Sequence, residues 1–344
     1  MAQKYNIILS FLCPPNQRFT VCNPYCTFAQ NVYRFMRVFY DLENLPQFEK
    51  PVLTIGTFDG VHQGHRVILD RIIQKAKSIG GETVLLTFDP HPRMVIGQGK
   101  QIELIQTLVE KIQTLSALGI DNLVVVPFTL AFAAQSAEEY IRDFLVNHFH
   151  PHTIIIGYDH QFGKGRLGDY HLLESQKHLY NYQLEEISVQ ELKDSAISST
   201  RIRQALQQGD VKTAAAFLGQ PFTFSGLVVD GDKRGRTIGF PTANIVVQDA
   251  YKLIPATGVY AVQVKHASHT YGGMMNIGYR PTIDSDKVLK IEVHLFDFDA
   301  DLYGQTIEVA CVDKIRDEQK FDGLEKLIQQ LHADKETAKL MFNL

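Results

Sequence analysis

Two short stretches of this sequence concentrate side chains able to handle phosphate. The first is Gly56-Thr57-Phe58-Asp59-Gly60-Val61-His62-Gln63-Gly64-His65. Imidazoles separated by Gln63-Gly64 can donate hydrogen bonds to triphosphate oxygens and offset charge that grows in a transition state. Gly64 lets a phosphate approach the backbone closely. A lone histidine is more often structural, but two of them with glycines in a strand-to-helix turn have the context that a phosphate motif requires. The second stretch runs from Val229 to Asn244, with glycines at 231, 235 and 239 and the bases Lys233, Arg234 and Arg236 between them. Such a loop admits phosphate to the backbone and attracts it. Thr242 and Asn244 then alternate onto one face of the following strand, two oxygen ligands for a Mg²⁺ that bridges ATP phosphates. The Gly-Lys-Ser/Thr of a Walker A loop is missing, and composition alone would make this stretch a solvated hairpin.

Further groups fall where strands end. Phe88 is followed by Asp89-Pro90-His91-Pro92-Arg93, and Gly157 by Tyr158-Asp159-His160-Gln161-Phe162-Gly163-Lys164-Gly165-Arg166. Ile197-Ser198-Ser199-Thr200-Arg201-Ile202-Arg203 places hydroxyls before a helix with arginines beside them. Ser199 or Thr200 could simply cap that helix. The planar fork of arginine suits phosphate oxygens, although Arg201 and Arg203 could equally be a solvated face.

The elements that must position these residues change character along the chain. From Pro51 to about Ile187, apolar runs at Val52–Gly56, Thr83–Phe88, Leu123–Pro127 and Thr153–Gly157 alternate with amphipathic helical stretches. Continuous apolar strands are covered on both faces, and strand–helix alternation means a doubly wound parallel sheet that binds ligands at its carboxyl edge. The first helix carries Ile68, Leu69, Ile72, Ile73, Ala76 and Ile79 and stops at Gly80-Gly81; helical patterns at Leu104–Leu118 and Ala137–Asn147 fill later gaps. A helical pair, Thr200–Gln208 and Val211–Leu218, reads as a linker. From Pro221 the strand-like runs Phe222–Val229, Ala243–Val247, Gly258–Lys265, His269–Ile277, Val288–Phe296 and Thr306–Asp313 follow without helices between them. These predict a six-stranded antiparallel β-barrel, closed off by one C-terminal amphipathic helix.

The 344-residue length favours two domains, and a net charge of −4 offers no broad surface for nucleic acid or membrane. Any phosphate site must therefore be local. No apolar run approaches the roughly 20 residues that span a bilayer. Cys13, Cys22 and Cys26 crowd the N-terminus, with Cys311 far away. The main body therefore carries no disulfide framework, which fits a cytoplasmic protein, and no zinc is expected at the three early cysteines because they have no fourth soft ligand nearby, the first histidine being His62. Residues 1–35 are irregular, and the orderly sequence starts at Met36, so an upstream extension with the biological start at Met36 is expected.

The motifs together resemble a known family. His62-x-Gly64-His65 and Ile197–Arg203 are similar to the HxGH and ISSTxxR-type signatures of nucleotidyltransferases, and GTFDGVHQGH, TFDPHP and GYDHQFGKGR to FMN adenylyltransferase modules. GDKRGRTIGFPTANI, with the later Asn276–Thr282 and Ile291–Phe296 segments, resembles riboflavin kinases. In this order the motifs are those of prokaryotic bifunctional riboflavin kinase/FMN adenylyltransferases. The resemblance implies an adenylyltransferase domain over 36–205, linker helices over 206–220 and a kinase domain over 221–344. It implies ATP as co-substrate with Mg²⁺, and riboflavin and FMN as substrates; a weak homo-oligomer is compatible with it. It gives Gly56, Phe58, Asp59, His62, Gly64, His65, Asp159, Ser199, Thr200, Arg201 and Arg203 to ATP in the first domain, with His62 and His65 catalytic. In the second it gives Gly231, Lys233, Gly235, Arg236, Gly239, Thr242 and Asn244 to ATP, Thr242 and Asn244 to the metal, and Glu292 the role of catalytic base. Many family members have asparagine in place of Asp159; a carboxylate there accepts hydrogen bonds or helps place Mg²⁺ but cannot donate. Two rivals are a nucleotidyltransferase with one activity and a non-catalytic flavin sensor; both fit poorly with intact motifs in both halves.

Overall fold

The computed structural model describes residues 36–97, 102–190, 197–231, 234–266, 269–281 and 287–342. The N-terminal extension with its three cysteines, Lys233 and Thr282 lie outside the described residues. Contacts divide the chain into two compact units, Met1–Ile102 with Leu108–Ala196, and Glu103–Thr107 with Ile197–Leu344.

The first unit is a parallel sheet of six strands: β1 (Arg37–Phe39), β2 (Val52–Ile55), β3 (Thr83–Asp89), β4 (Asn122–Pro127), β5 (Thr153–Gly157) and β6 (Gln183–Ile187). Their order is β1-β4-β3-β2-β5-β6. The chain therefore winds one way from β2 through β3 to β4 and the other way from β5 to β6, so its direction switches between β2 and β5. Helix α1 (Gln63–Ile79) follows β2, buries Leu69, Ile72 and Ala76, and ends on Gly80 in the left-handed conformation. The short α2 (Pro92–Ile96) follows β3, and α3 (Leu108–Leu118) and α4 (Tyr170–Tyr180) precede β4 and β6. The stretch read as a helix over Ala137–Asn147 contains a π-helical segment, Tyr140–Val146, whose Tyr140, Ile141, Phe144 and Leu145 are all buried. Central β2 and β5 are buried throughout, which is why they read as continuous apolar runs.

The second unit is a closed antiparallel barrel of β7 (Phe222–Val229), β8 (Ala243–Val246), β9 (Gly258–His266), β10 (His269–Pro281), β11 (Lys287–Leu295) and β12 (Thr306–Arg316), in the order β10-β11-β8-β7-β12-β9. Its interior takes alternate residues, Phe222, Phe224, Tyr260, Val262, Met275, Ile277, Ile291, Val293 and Val309 among them. The partners of that alternation, including Asn244, Asn276 and Glu292, stand on the outer wall. Helices α5 (Ser199–Gln207) and α6 (Val211–Leu218) contribute Ile202, Leu206, Val211 and Ala214 to this same core, so they pack as part of the barrel unit. A one-turn helix, α7 (Arg234–Thr237), interrupts the β7–β8 connection. The last helix, α8 (Leu324–Met341), lies on the outer wall through Ala338, against Phe240, Ala261, Met274 and Phe296. A buried carboxylate fixes it: Asp334, 1% exposed, takes a two-pronged bond from Arg316, Nη2 to Oδ2 at 2.7 Å.

Candidate functional site

In the first unit, the turn after β2 lies at the sheet's topological switch, where doubly wound sheets leave a crevice at their carboxyl edge. Among the described residues, β2 and β5 pair only at Val52–Thr153 and Leu53–Ile154, so their ladder lapses before that edge. The turn is wound tightly and buried. Phe58, Gly60 and Val61 take φ of 44°, 91° and 39°, and a β-branched valine in that region is strained. His62 caps α1, its Nδ1 accepting from the His65 backbone N–H at 3.3 Å. The two imidazoles stack, with ring centroids 3.7 Å apart and planes 15° from parallel. Burial first, then His62 and Lys111, push the His65 imidazole well below its usual range, so it is neutral near pH 7. Its Nδ1 is buried and lacks a hydrogen-bond partner. A neutral imidazole at a helix N-terminus can donate to an incoming phosphate oxygen, where the backbone N–H groups and dipole also favour negative charge.

Sequence reasoning missed Lys111. It lies on α3 among Leu108, Ile112 and Leu115, on the stripe where an apolar residue belongs, and is 6% exposed. Its Nζ donates to the Thr57 carbonyl at 2.7 Å and to Thr87 Oγ1 at 3.3 Å. Burial lowers its pKa, while Asp59 and Asp89 act to raise it. The one signal available was its place in the 108–111–112–115 pattern. Of the other residues at this edge, His91 caps α2 by accepting from Arg93 N–H at 3.1 Å. Asp159 is exposed, and its neighbour His160 is pushed down to about 4, chiefly by burial, with Nε2 unpartnered.

The Ser199–Arg203 segment belongs to the second unit. Ser198, one residue before the two weighed for the role, caps α5 by accepting from Arg201 N–H. Arg201 covers the Phe217 ring at 4.8 Å, and Arg203 Nε donates to the Glu103 carbonyl at 2.7 Å.

On the barrel wall, strand register lines up one polar row. Glu292 pairs with Asn244 of β8 on one side and with Asn276 of β10 on the other. All three are partly exposed on the same outer face. Gly231, two residues past β7, leaves room for this row: a Cβ there would lie 2.0 Å from the Asn244 amide nitrogen, so the amide would have to move. Gly235 is equally constrained by the Phe240 carbonyl, at 2.1 Å, and Gly239 has a φ of +82°. His294, missed earlier as a site residue, fastens the entry to β8, its Nδ1 bonding the Pro241 carbonyl at 2.8 Å. Thr242 follows directly, so Thr242, Asn244 and Glu292 are held on one wall.

A switch-point turn carrying paired histidines, followed by a barrel carrying a carboxylate beside oxygen donors, defines a two-domain transferase acting on nucleotide phosphates. The comparisons narrow this. Residues 45–201 match the FAD synthetase family model and residues 218–342 the riboflavin kinase model. The chain is 39% identical to the bifunctional riboflavin kinase/FMN adenylyltransferase of Listeria monocytogenes, covering 85% of this chain and 92% of that protein. It is 41% identical to the Haemophilus influenzae protein of the same name, over 85% and 94%, and 38% identical to that of Escherichia coli K12, over 90% and 98%. A crystal structure from Streptococcus pneumoniae, titled a macrolide-efflux protein, shares the fold with a TM-score of 0.80 at 32% identity, over 88% and 98% of the two chains. No helix among the described residues is long and apolar enough to cross a membrane. The chain belongs to the bifunctional riboflavin kinase/FMN adenylyltransferase family.

Proposed function

We propose that the barrel unit makes FMN and the sheet unit converts it to FAD, each at the site described above. In the first reaction the terminal ribityl hydroxyl of riboflavin attacks the γ-phosphorus of ATP, the bond to the bridging oxygen breaks, and ADP leaves. Glu292 orients that hydroxyl and takes its proton. In the second, a phosphate oxygen of FMN attacks the α-phosphorus of ATP and diphosphate leaves. No protein nucleophile is needed, because placement and charge stabilisation carry such a transfer. His62, His65 and the backbone of the Gly56–Gly64 turn, with Phe58 and Asp59 in it, hold the phosphates. Asp159 accepts hydrogen bonds beside them, and Ser199, Thr200, Arg201 and Arg203 are assigned to ATP by motif alone.

The donor set of the barrel fits Mg²⁺. Thr242 and Asn244 offer hard, neutral oxygens, and Gly231 keeps open the space in which the Asn244 amide sits. The ion would arrive with ATP and, when bound, neutralise phosphate charge. Arg236 and the backbone at Gly231, Gly235 and Gly239 would line the phosphates. The observation that carries the whole reading is the row Asn244–Glu292–Asn276 on one wall in a chain that also has the His62–His65 turn at a sheet switch point. The sparse cysteines of residues 36–344, Cys311 alone, support a reducing cytoplasm as the place of work. The test is to incubate the chain with riboflavin, ATP and Mg²⁺ and resolve the flavins by chromatography. FMN followed by FAD is expected; no FMN formation rejects the kinase assignment, and FMN that never becomes FAD rejects the other.

A further inference from the structure

We propose that Lys111 is a positioning residue for adenylyl transfer, holding the turn that precedes His62 and His65 in its wound form through Thr57 and Thr87. The inference rests on the reading of that turn as the phosphate site. The turn needs an anchor. Phe58 and Val61 have φ of 44° and 39°, and such strain persists only where the surroundings over-determine it. Thr57 begins the strained stretch, and two donors converge on its carbonyl: Lys111 Nζ at 2.7 Å and Thr87 Oγ1 at 3.2 Å. Thr87 in turn accepts from Lys111 at 3.3 Å, so the lysine braces the turn and β3 together.

A lysine is a costly brace. Burying an ammonium is unfavourable, here offset in part by the charges of Asp59 and Asp89, and an apolar residue on this stripe of α3 would pack without that penalty. Its charge therefore has a use. Burial is the main cause that holds the His65 imidazole low, and His62 and then Lys111 add to it. The Nδ1 of that stacked imidazole is buried and has no hydrogen-bond partner, and the turn that Lys111 braces is what holds it in place.

The test uses the full chain and the variants Lys111→Met and Lys111→Gln. Lys111→Met keeps the volume but removes both donor and charge. FMN adenylylation should fall about 10- to 100-fold in kcat, the size of effect seen when a support shell lets a reacting group shift. The KM for FMN and riboflavin phosphorylation should hold at parent values, and the thermal unfolding midpoint should not fall, because methionine packs on the stripe without the ammonium's penalty. Lys111→Gln retains a donor, so it should recover part of the rate while moving the NMR titration of His65 upward. Adenylylation by Lys111→Met within about twofold of the parent overturns the proposal. So does a loss that comes with a lowered unfolding midpoint and an unmoved His65 titration, which is packing alone. His65→Ala separates the two levels: if it leaves FAD formation intact, the phosphate reading itself fails. If it abolishes FAD formation and Lys111→Met does not, only the role of Lys111 is lost.

Discussion

At the residue scale, Glu292 is the side chain whose loss best separates the two activities. It stands on β11 between Asn244 and Asn276, on a wall of the barrel unit alone. Glu292→Gln keeps the shape but cannot take a proton. Riboflavin phosphorylation should drop by about 10²- to 10⁴-fold, the range for a general base, while adenylylation of supplied FMN continues at the parent rate. Coupled assays with each flavin check both halves of that statement. The buried histidines give a second prediction, with a definite sign. His65, His160 and His294 are all held below their usual range, chiefly by burial. A histidine depressed in the folded state binds fewer protons there than when unfolded. Its contribution is therefore whole above 6.5 and lost as the pH falls, for His160 down to about 4. Each such group contributes at most about 1.4 kcal/mol per pH unit within its window. The unfolding midpoint, followed by circular dichroism from about pH 7 to about pH 5, should fall, and His160→Gln should make the fall shallower.

At the scale of elements, what was legible in the sequence follows burial. Strands β2, β3, β4 and β5, covered on both faces, showed as continuous apolar runs, and β7, which buries every second residue, showed as a strand-like run. The edge strands did not show. β6 is Gln-Leu-Glu-Glu-Ile and mostly exposed or half-buried, so it carries little apolar signal, and three-residue β1 is too short to carry any period. Of the site, the residues lying close in sequence were readable: the His62–His65 turn and the Thr242–Asn244 pair. Those brought in from elsewhere in the chain were not. Lys111 looked like one more surface lysine on an amphipathic helix, and the bond from His294 to Pro241 spans 53 residues. The Arg316–Asp334 clasp is of the same kind, invisible until α8 meets β12. Breaking it exposes what it does for the helix. Asp334 is 1% exposed and also receives Gln330 Nε2 at 2.9 Å. Asp334→Ala removes both prongs from a guanidinium that is still partly exposed and keeps its bond to the Asp317 carbonyl, at a cost of about 1–3 kcal/mol. Urea unfolding of the variant, followed through riboflavin phosphorylation, should show a lower midpoint than the parent.

At the scale of the molecule, the division into two units does not follow the order of the chain. Glu103–Thr107 comes from between two elements of the first unit, yet groups with the barrel. Its backbone is stitched there: Leu104 N–H donates to the Tyr251 carbonyl at 2.6 Å, and Leu253 N–H to the Leu104 carbonyl at 2.8 Å. Lys252 Nζ reaches the Ile105 carbonyl at 2.7 Å, and Ile105, with no exposed surface, lies in the cluster that holds Phe222, Phe224 and Tyr260. A residue from the first third of the sequence is thus part of the kinase core. Ile105→Ala removes buried methyl groups and leaves a cavity, a change worth about 2–5 kcal/mol. If the units melt separately, that loss falls on one activity. The two thermal inactivation curves, read by assaying riboflavin phosphorylation and FMN adenylylation in the same heated sample, should then part. Phosphorylation should fail several degrees earlier than in the parent, while adenylylation holds its own midpoint. Coincident curves shifted by the same amount would mean instead that the two cores unfold as one cooperative body, with the 103–107 segment as a route for that coupling.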